Sequence, residues 1–63
     1  MNTRTKFVKV SNNQIIHEVD CQLLPKKNTI ITLDEKQYKV ISTEIDLGMN
    51  SIYIYIQKVF EKY

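Results

Sequence analysis

The sequence predicts a small all-β protein of five short strands. β-branched and aromatic residues dominate, no segment keeps a helical apolar period, and several runs alternate apolar with polar residues. Alternation places successive side chains on opposite faces of a strand. We expect an antiparallel meander that forms an SH3-like barrel or a strongly bent sheet, because both limit exposed edges. The rival architecture is an open sheet that dimerises through an edge.

The N-terminal third is predicted to hold two strands joined by a hairpin. The first runs from Thr5 to Val10, and Ser11-Asn12-Asn13 follows as a turn, since asparagine tolerates the left-handed conformation. The second runs from Gln14 to Leu23 and predicts a half-buried strand. Its inward face carries Ile15, His17, Val19, Cys21 and Leu23, and its outward face carries Ile16, Glu18, Asp20 and Gln22.

Proline and polar turns mark the middle of the chain. Leu24-Pro25-Lys26-Lys27-Asn28 ends the second strand because proline cannot donate to a ladder. A short third strand spans Thr29 to Leu33, and the fourth begins at Gln37 or Tyr38 after a polar turn. The fourth strand changes its apolar parity between Val40 and Ile41, which predicts a β-bulge or a sharp bend.

The fifth strand is the clearest element of the sequence. After a turn in which Gly48 is expected to take positive φ, the run from Ser51 to about Phe60 places Ile52, Ile54 and Ile56 on one face. The isoleucine row predicts a core. The row of Tyr53 and Tyr55 on the opposite face is a second packed layer, a dimer surface or a stacking platform.

Size and composition restrict the functional classes. The 63 residues form one domain, and a chain this short is marginally stable unless its core is efficient or it oligomerises. One cysteine and one histidine exclude an internal disulfide and a Cys/His zinc site. The sequence also contains no apolar run long enough for a signal peptide or a membrane-spanning helix, so we expect a cytoplasmic protein that does not contact a membrane.

Catalytic constellations are missing from the sequence. His17 and Cys21 lie too far apart along one strand to act as a nucleophile pair, so both are predicted to be structural, with Cys21 in the core. The acidic pairs Glu18/Asp20 and Glu44/Asp46 would form a patch if their strands paired. That patch would be a solvated face, a dock for a basic partner or a mimic of DNA phosphates. We predict no enzyme activity, cofactor, metal or small-molecule substrate.

The candidate binding surface combines aromatic and basic residues. If the first and last strands pair, Tyr53 and Tyr55 would share a surface with Lys6, Lys9 and Lys58. The leading hypothesis is a non-enzymatic interaction module that binds a protein partner or forms a homodimer. The alternative is single-stranded nucleic-acid binding, in which tyrosines stack on bases and lysines contact phosphates. A net charge of +2 does not decide between them.

The central segment, from Leu23-Leu24-Pro25 through the Ile30-Ile31 strand to Tyr38-Lys39-Val40, carries a resemblance. It resembles a pattern in small, largely uncharacterised β-rich proteins of phages and mobile elements, in which Leu-Pro, a loop, an Ile-rich strand and Tyr-x-Val follow one another. Lys27-Asn28 stands where those proteins often have Gly-Asp. The resemblance implies a compact β-barrel-like module of bacterial or phage origin and transfers no functional residue.

Overall fold

The computed structural model describes residues 3–59 and confirms an all-β fold of five strands. The strands are β1 (Arg4–Lys9), β2 (Gln14–Val19), β3 (Ile30–Leu33), β4 (Lys36–Asp46) and β5 (Ser51–Lys58). No described residue lies in a helix. The predicted end of the last strand at Phe60, and the tail after it, lie outside the described residues.

The strands form a single mixed sheet in the order β2-β1-β5-β4-β3. The first and last strands pair, which was the condition for a shared surface, but they run parallel, so the prediction of a purely antiparallel sheet is wrong. Strand number explains the difference. When each strand reverses the direction of the one before it, the first and fifth strands point the same way and can pair only in parallel.

The sheet curls into a half-barrel whose two edges stay apart. Strand β2 contacts only β1, and β3 contacts only β4. Within residues 3–59 the barrel is therefore not closed, and β2 and β3 are its two edge strands.

The inner face of the half-barrel carries the core that the isoleucine row predicts. Ile54 and Ile56 are fully buried and Ile52 almost so. Around them lie Phe7, Tyr38 and Val40, with Ile16, Val19, Ile31 and Leu33 packed at the periphery. All five strands contribute to this cluster. Each fully buried isoleucine stabilises the fold by about 1.5–3 kcal/mol relative to an exposed one.

The predicted irregularity in β4 is confirmed as a β-bulge. Val40 pairs with Ile56, whereas the next pair joins Ser42 to Tyr55, so Ile41 is the extra residue. A bulge bends its strand and increases the local twist. This bend helps β4 follow the curl of the sheet.

A second bulge, in β2, reverses part of the predicted burial pattern. Phe7 pairs with His17 and Val8 with Ile15, which leaves Ile16 as the extra residue. Ile16 turns to the core, whereas Ile15 is exposed and His17 is exposed with its ring centroid 5.9 Å from that of Phe7. The prediction that Ile15 shares a face with His17 and Val19 is wrong, because the bulge shifts the alternation by one residue between Ile15 and His17. His17 and Val19 do share the parity of Phe7 and Thr5, although His17 stays exposed.

The chain must cross the sheet to connect its two edge strands. Residues 20–29 connect strands that lie four spacings apart, which is about 19 Å measured along the curled sheet at about 4.8 Å per spacing. The fully buried Thr5 holds this crossover: its hydroxyl donates to the Cys21 carbonyl at 2.7 Å and accepts from the Leu23 amide at 3.2 Å. Strand β2 therefore ends at Val19 instead of Leu23, and Cys21 is exposed instead of lying in the core as predicted.

Left-handed residues other than glycine close several turns. Asn13 has a φ of 57°, as the asparagine turn predicts. The prediction for Gly48 is wrong, since its φ is not positive and Asn50 takes that conformation in the same turn, at 54°. Asp34 and Glu35 form the β3–β4 turn with φ values of 52° and 67°, the signature of a type I′ hairpin.

Candidate interaction surface

The outer face of the sheet places the two tyrosines of β5 between β1 and β4. Tyr53 lies beside Lys6 of β1 and opposite Glu44 of β4, and Tyr55 lies beside Val8. We call the outer surface formed by these five residues the tyrosine face. Both tyrosines are half-buried, so their rings are supported by neighbouring strands and still reach solvent. No second protein layer covers them within the described residues.

A cation supports the first of the two rings. The Lys6 ammonium lies 5.4 Å from the centroid of the Tyr53 ring, within the range of a cation–π contact. The contact arises because parallel pairing brings Lys6 level with Tyr53. At this exposed site it contributes about 0.5–1 kcal/mol.

A carboxylate binds the second tyrosine. The Tyr55 hydroxyl donates a hydrogen bond of 2.7 Å to Oε1 of Glu44. This bond, with smaller contributions from desolvation and from the Glu44 charge, raises the pKa of the Tyr55 phenol above its ordinary value. The Glu44 carboxylate therefore favours the neutral, hydrogen-bonded form of the Tyr55 phenol.

The remaining charges near the tyrosine face are largely balanced. Arg4 of β1 contacts Glu18 at 3.3 Å and Asp20 at 3.8 Å. Together with Glu44, three carboxylates thus stand against the three cations Arg4, Lys6 and Lys39, the last of which pairs with Gln57 two residues beyond Tyr55. Arg4 and Lys6 already have partners, so the centre of this surface is not a basic stripe.

Val8 gives the tyrosine face an apolar centre. It is only 5% exposed, although its outward parity places it away from the inner core. Its lateral neighbours are Tyr55 on one side and the exposed Ile15 on the other. The β2 bulge turns Ile15 outward, so the sequence pattern alone did not predict this apolar strip.

Two of the predicted surface residues lie elsewhere. Lys9 pairs with Ile56 and Lys58 pairs with Tyr38, so both have the parity of the inner core. They line a cleft of about 380 Å³ at the end of the sheet. The structure therefore joins Tyr53, Tyr55 and Lys6 and separates Lys9 and Lys58 from them.

The other candidate groups do not form one site. β1 and β5 separate β2 from β4, so the acidic pairs Glu18/Asp20 and Glu44/Asp46 do not merge into one patch. Asp46 instead accepts the Met49 amide in the β4–β5 turn at 3.2 Å. No group of three His, Cys, Asp or Glu residues arranged to hold a metal occurs between residues 3 and 59.

An apolar cluster at the β4–β5 turn was not anticipated. Leu47 and Met49 are 87% and 70% exposed, and Ile45 and Leu24 are also exposed beside them. Leu24, Ile45 and Leu47 line a cleft of about 200 Å³ with Ile52 at its base. The signal was visible in the sequence as two large apolar residues within one turn, Leu47-Gly48-Met49-Asn50.

Comparison with family models, with curated proteins and with solved structures found no match for this chain. The described part of the chain also contains no helix long and apolar enough to cross a membrane. The resemblance to phage and mobile-element proteins stays a prediction.

Proposed function

We propose that the chain is a non-enzymatic interaction module that binds a protein partner through the tyrosine face. The observation that carries this proposal is the Tyr55–Glu44 hydrogen bond beside the Lys6–Tyr53 contact. Together they hold two aromatic rings in fixed positions on a strand. Ordered tyrosines supply contact area at little entropic cost, and tyrosine is enriched where proteins bind one another.

The charge balance favours a protein over a nucleic acid. A single-strand binder lines its stacking aromatics with free cations that track phosphates. Here the carboxylate of Glu44 accepts a hydrogen bond from the Tyr55 hydroxyl, and Arg4 is engaged by two acids. Lys6 over Tyr53 supports single-stranded nucleic-acid binding, which we keep as the second candidate.

The proposal extends to the cellular compartment of the protein. One thiol and no disulfide framework suit a reducing compartment, so we propose that it acts in the cytoplasm and requires no cofactor. We further propose that the half-barrel is an SH3-like arrangement and that the protein is of phage origin. Neither is needed for the binding test that follows.

The test compares the wild-type chain with a Tyr53→Ser/Tyr55→Ser variant. Both are immobilised and exposed to lysate of the source cell, and circular dichroism and thermal unfolding confirm that the variant is folded. Proteins captured by the wild type and lost by the variant support the proposal. Equal capture by both chains contradicts it.

A gel-shift assay decides the second candidate. Labelled single-stranded oligonucleotides are titrated with the wild type and with the double tyrosine variant at low and at moderate salt. Binding that weakens steeply with salt and requires the tyrosines would replace the protein-partner proposal. Absence of retardation at low salt would remove the nucleic-acid candidate.

A further inference from the structure

The open edge of β3 has the features of a pairing surface. Its four residues pair with β4 in unbroken register, from Ile30 with Lys39 to Leu33 with Lys36. Ile30–Leu33 contains no charge and no proline, the two devices that commonly block an edge. Ile30 is 50% exposed although it belongs to a strand.

The hairpin geometry identifies which backbone groups face that edge. In a type I′ hairpin the residues flanking the turn, Leu33 and Lys36, form a hydrogen-bonded pair, and such pairs alternate along the ladder. Thr32 and Ile30 therefore direct their N–H and C=O groups away from β4. The Gln37 carbonyl confirms this alternation of hydrogen-bonded pairs, because it accepts a hydrogen bond from the Val59 amide on the β5 side instead of facing Thr32.

The opposite edge is a poorer pairing surface. Strand β2 contains the Ile16 bulge, which interrupts the regular spacing of its edge groups. It also carries Glu18 next to Asp20, and both acids are engaged by Arg4. β3 is thus the edge that offers a regular ladder.

The charges flanking β3 are self-complementary. Lys26 and Lys27 precede the strand, and Asp34 and Glu35 follow it. All four are exposed, and the ion pairs described within residues 3–59 involve none of them. In an antiparallel pair of β3 strands, the basic end of each copy meets the acidic end of the other.

We propose that β3 pairs antiparallel with β3 of a second copy of this chain. The register that uses the edge-facing groups places Ile30 opposite Thr32 of the partner subunit, with the two-fold axis at Ile31. The two symmetric pairs exchange four backbone hydrogen bonds. Lys27 then lies beside Glu35 of the partner subunit, and two half-barrels join into one ten-stranded sheet.

The length of β3 sets the strength of this dimer. Four residues a side bury less than the roughly 1,000 Å² of a stable interface, so the dimer is weak, with a dissociation constant on the order of 0.1 mM. The surface is separate from the tyrosine face and does not depend on the function proposed above. Loss of one activity by mutation leaves the other measurable.

The experiment measures self-association by sedimentation velocity up to millimolar concentration, together with charge reversal at the flanks. Lys27→Glu and Glu35→Lys each place like charges at both contacts and should raise the dissociation constant about five- to tenfold. Lys27→Glu/Glu35→Lys restores opposite charges at unchanged net charge and should recover wild-type affinity. An equimolar mixture of the two single variants should form a heterodimer at near wild-type affinity.

Amide exchange followed by nuclear magnetic resonance tests the register. The Ile30 and Thr32 amides should gain protection as concentration rises, whereas those of Ile31 and Leu33, already bonded to β4, should be protected throughout. A chain that stays monomeric at millimolar concentration overturns the proposal. A dimer whose dissociation constant is the same in the charge variants also overturns it. If that dimer is lost in Tyr53→Ser/Tyr55→Ser, the tyrosine face is the self-association surface.

Discussion

The Thr5 hydroxyl ties Cys21 and Leu23 of the crossover to the sheet, and its removal is the sharpest test of the fold. Thr5→Val keeps the shape of the side chain and deletes only the hydroxyl. The substitution leaves the Cys21 carbonyl and the Leu23 amide without the bonds of 2.7 and 3.2 Å that Thr5 supplies. Thr5→Ser is the matched control, because it keeps the hydroxyl and deletes a buried methyl.

The structure gives the size of each effect. Two hydrogen bonds at about 1 kcal/mol each predict a loss of about 2 kcal/mol for Thr5→Val. Deleting one methyl from the fully buried Thr5 predicts a loss of about 1 kcal/mol for Thr5→Ser. A domain of 63 residues has a free energy of unfolding of about 3–9 kcal/mol, so both losses are measurable.

Urea unfolding followed by circular dichroism measures the two free energies. We expect the Val variant to unfold at a lower urea concentration than the Ser variant, with a similar m-value. Amide exchange should also show that the Leu23 amide loses protection in the Val variant and keeps it in the Ser variant. A Ser variant that is less stable than the Val variant would refute the argument, because methyl packing would then outweigh the two hydrogen bonds.

Three further substitutions probe other parts of the structure. Glu35→Gly should stabilise the monomer by about 0.5–1 kcal/mol and raise Tm by about 2–8 °C. Glycine removes the left-handed strain at φ 67°, but the greater entropy of the unfolded glycine chain cancels part of that gain. An unchanged or lower Tm would contradict this. Ile54→Ala should cost about 2–5 kcal/mol and Ile54→Val about 0.5–1.5 kcal/mol in denaturant unfolding, and equal losses would mean that the site collapses around the smaller side chain. Glu44→Ala should lower the pKa of Tyr55 in an ultraviolet titration of the phenols. Since the folded pKa is raised, the Tyr55 bond contributes stability below the unfolded pKa of about 10 and loses it as pH rises through the folded pKa; an identical stability profile in Glu44→Ala would refute this linkage.

Alternation predicted most of the sheet correctly where one parity was clearly apolar. Only one face of β5 can be buried, because its isoleucines all share one parity, so the core strand follows from the sequence. The β4 bulge follows in the same way from the change of apolar parity between Val40 and Ile41. In β2 the adjacent Ile15 and Ile16 fit either parity. The choice depends on pairing with β1, which local sequence does not contain.

Alternation also contained information about the candidate site. Lys9 lies an odd number of residues from Lys6, and Lys58 an even number from Ile56, so neither lysine can share a face with Tyr53 in a regular strand. The position of Lys6 over Tyr53 required the parallel pairing of β1 with β5. The exposed Cys21 required the crossover, whose path depends on the sheet order and on Thr5.

The crossover also limits where this protein can bind a partner. Residues 20–29 pass over the inner face, where Thr5 fixes them, and the isoleucine core fills the space beneath. An open half-barrel would otherwise offer that concave face as its binding groove. With the concavity occupied by its own chain, the surfaces left for another macromolecule among the described residues are the outer tyrosine face, the apolar turn around Leu47, the cleft beside Lys9 and Lys58, and the two sheet edges. A folded variant that loosens the crossover at Cys21 and Leu23, such as Thr5→Val, should therefore leave binding at the tyrosine face unchanged.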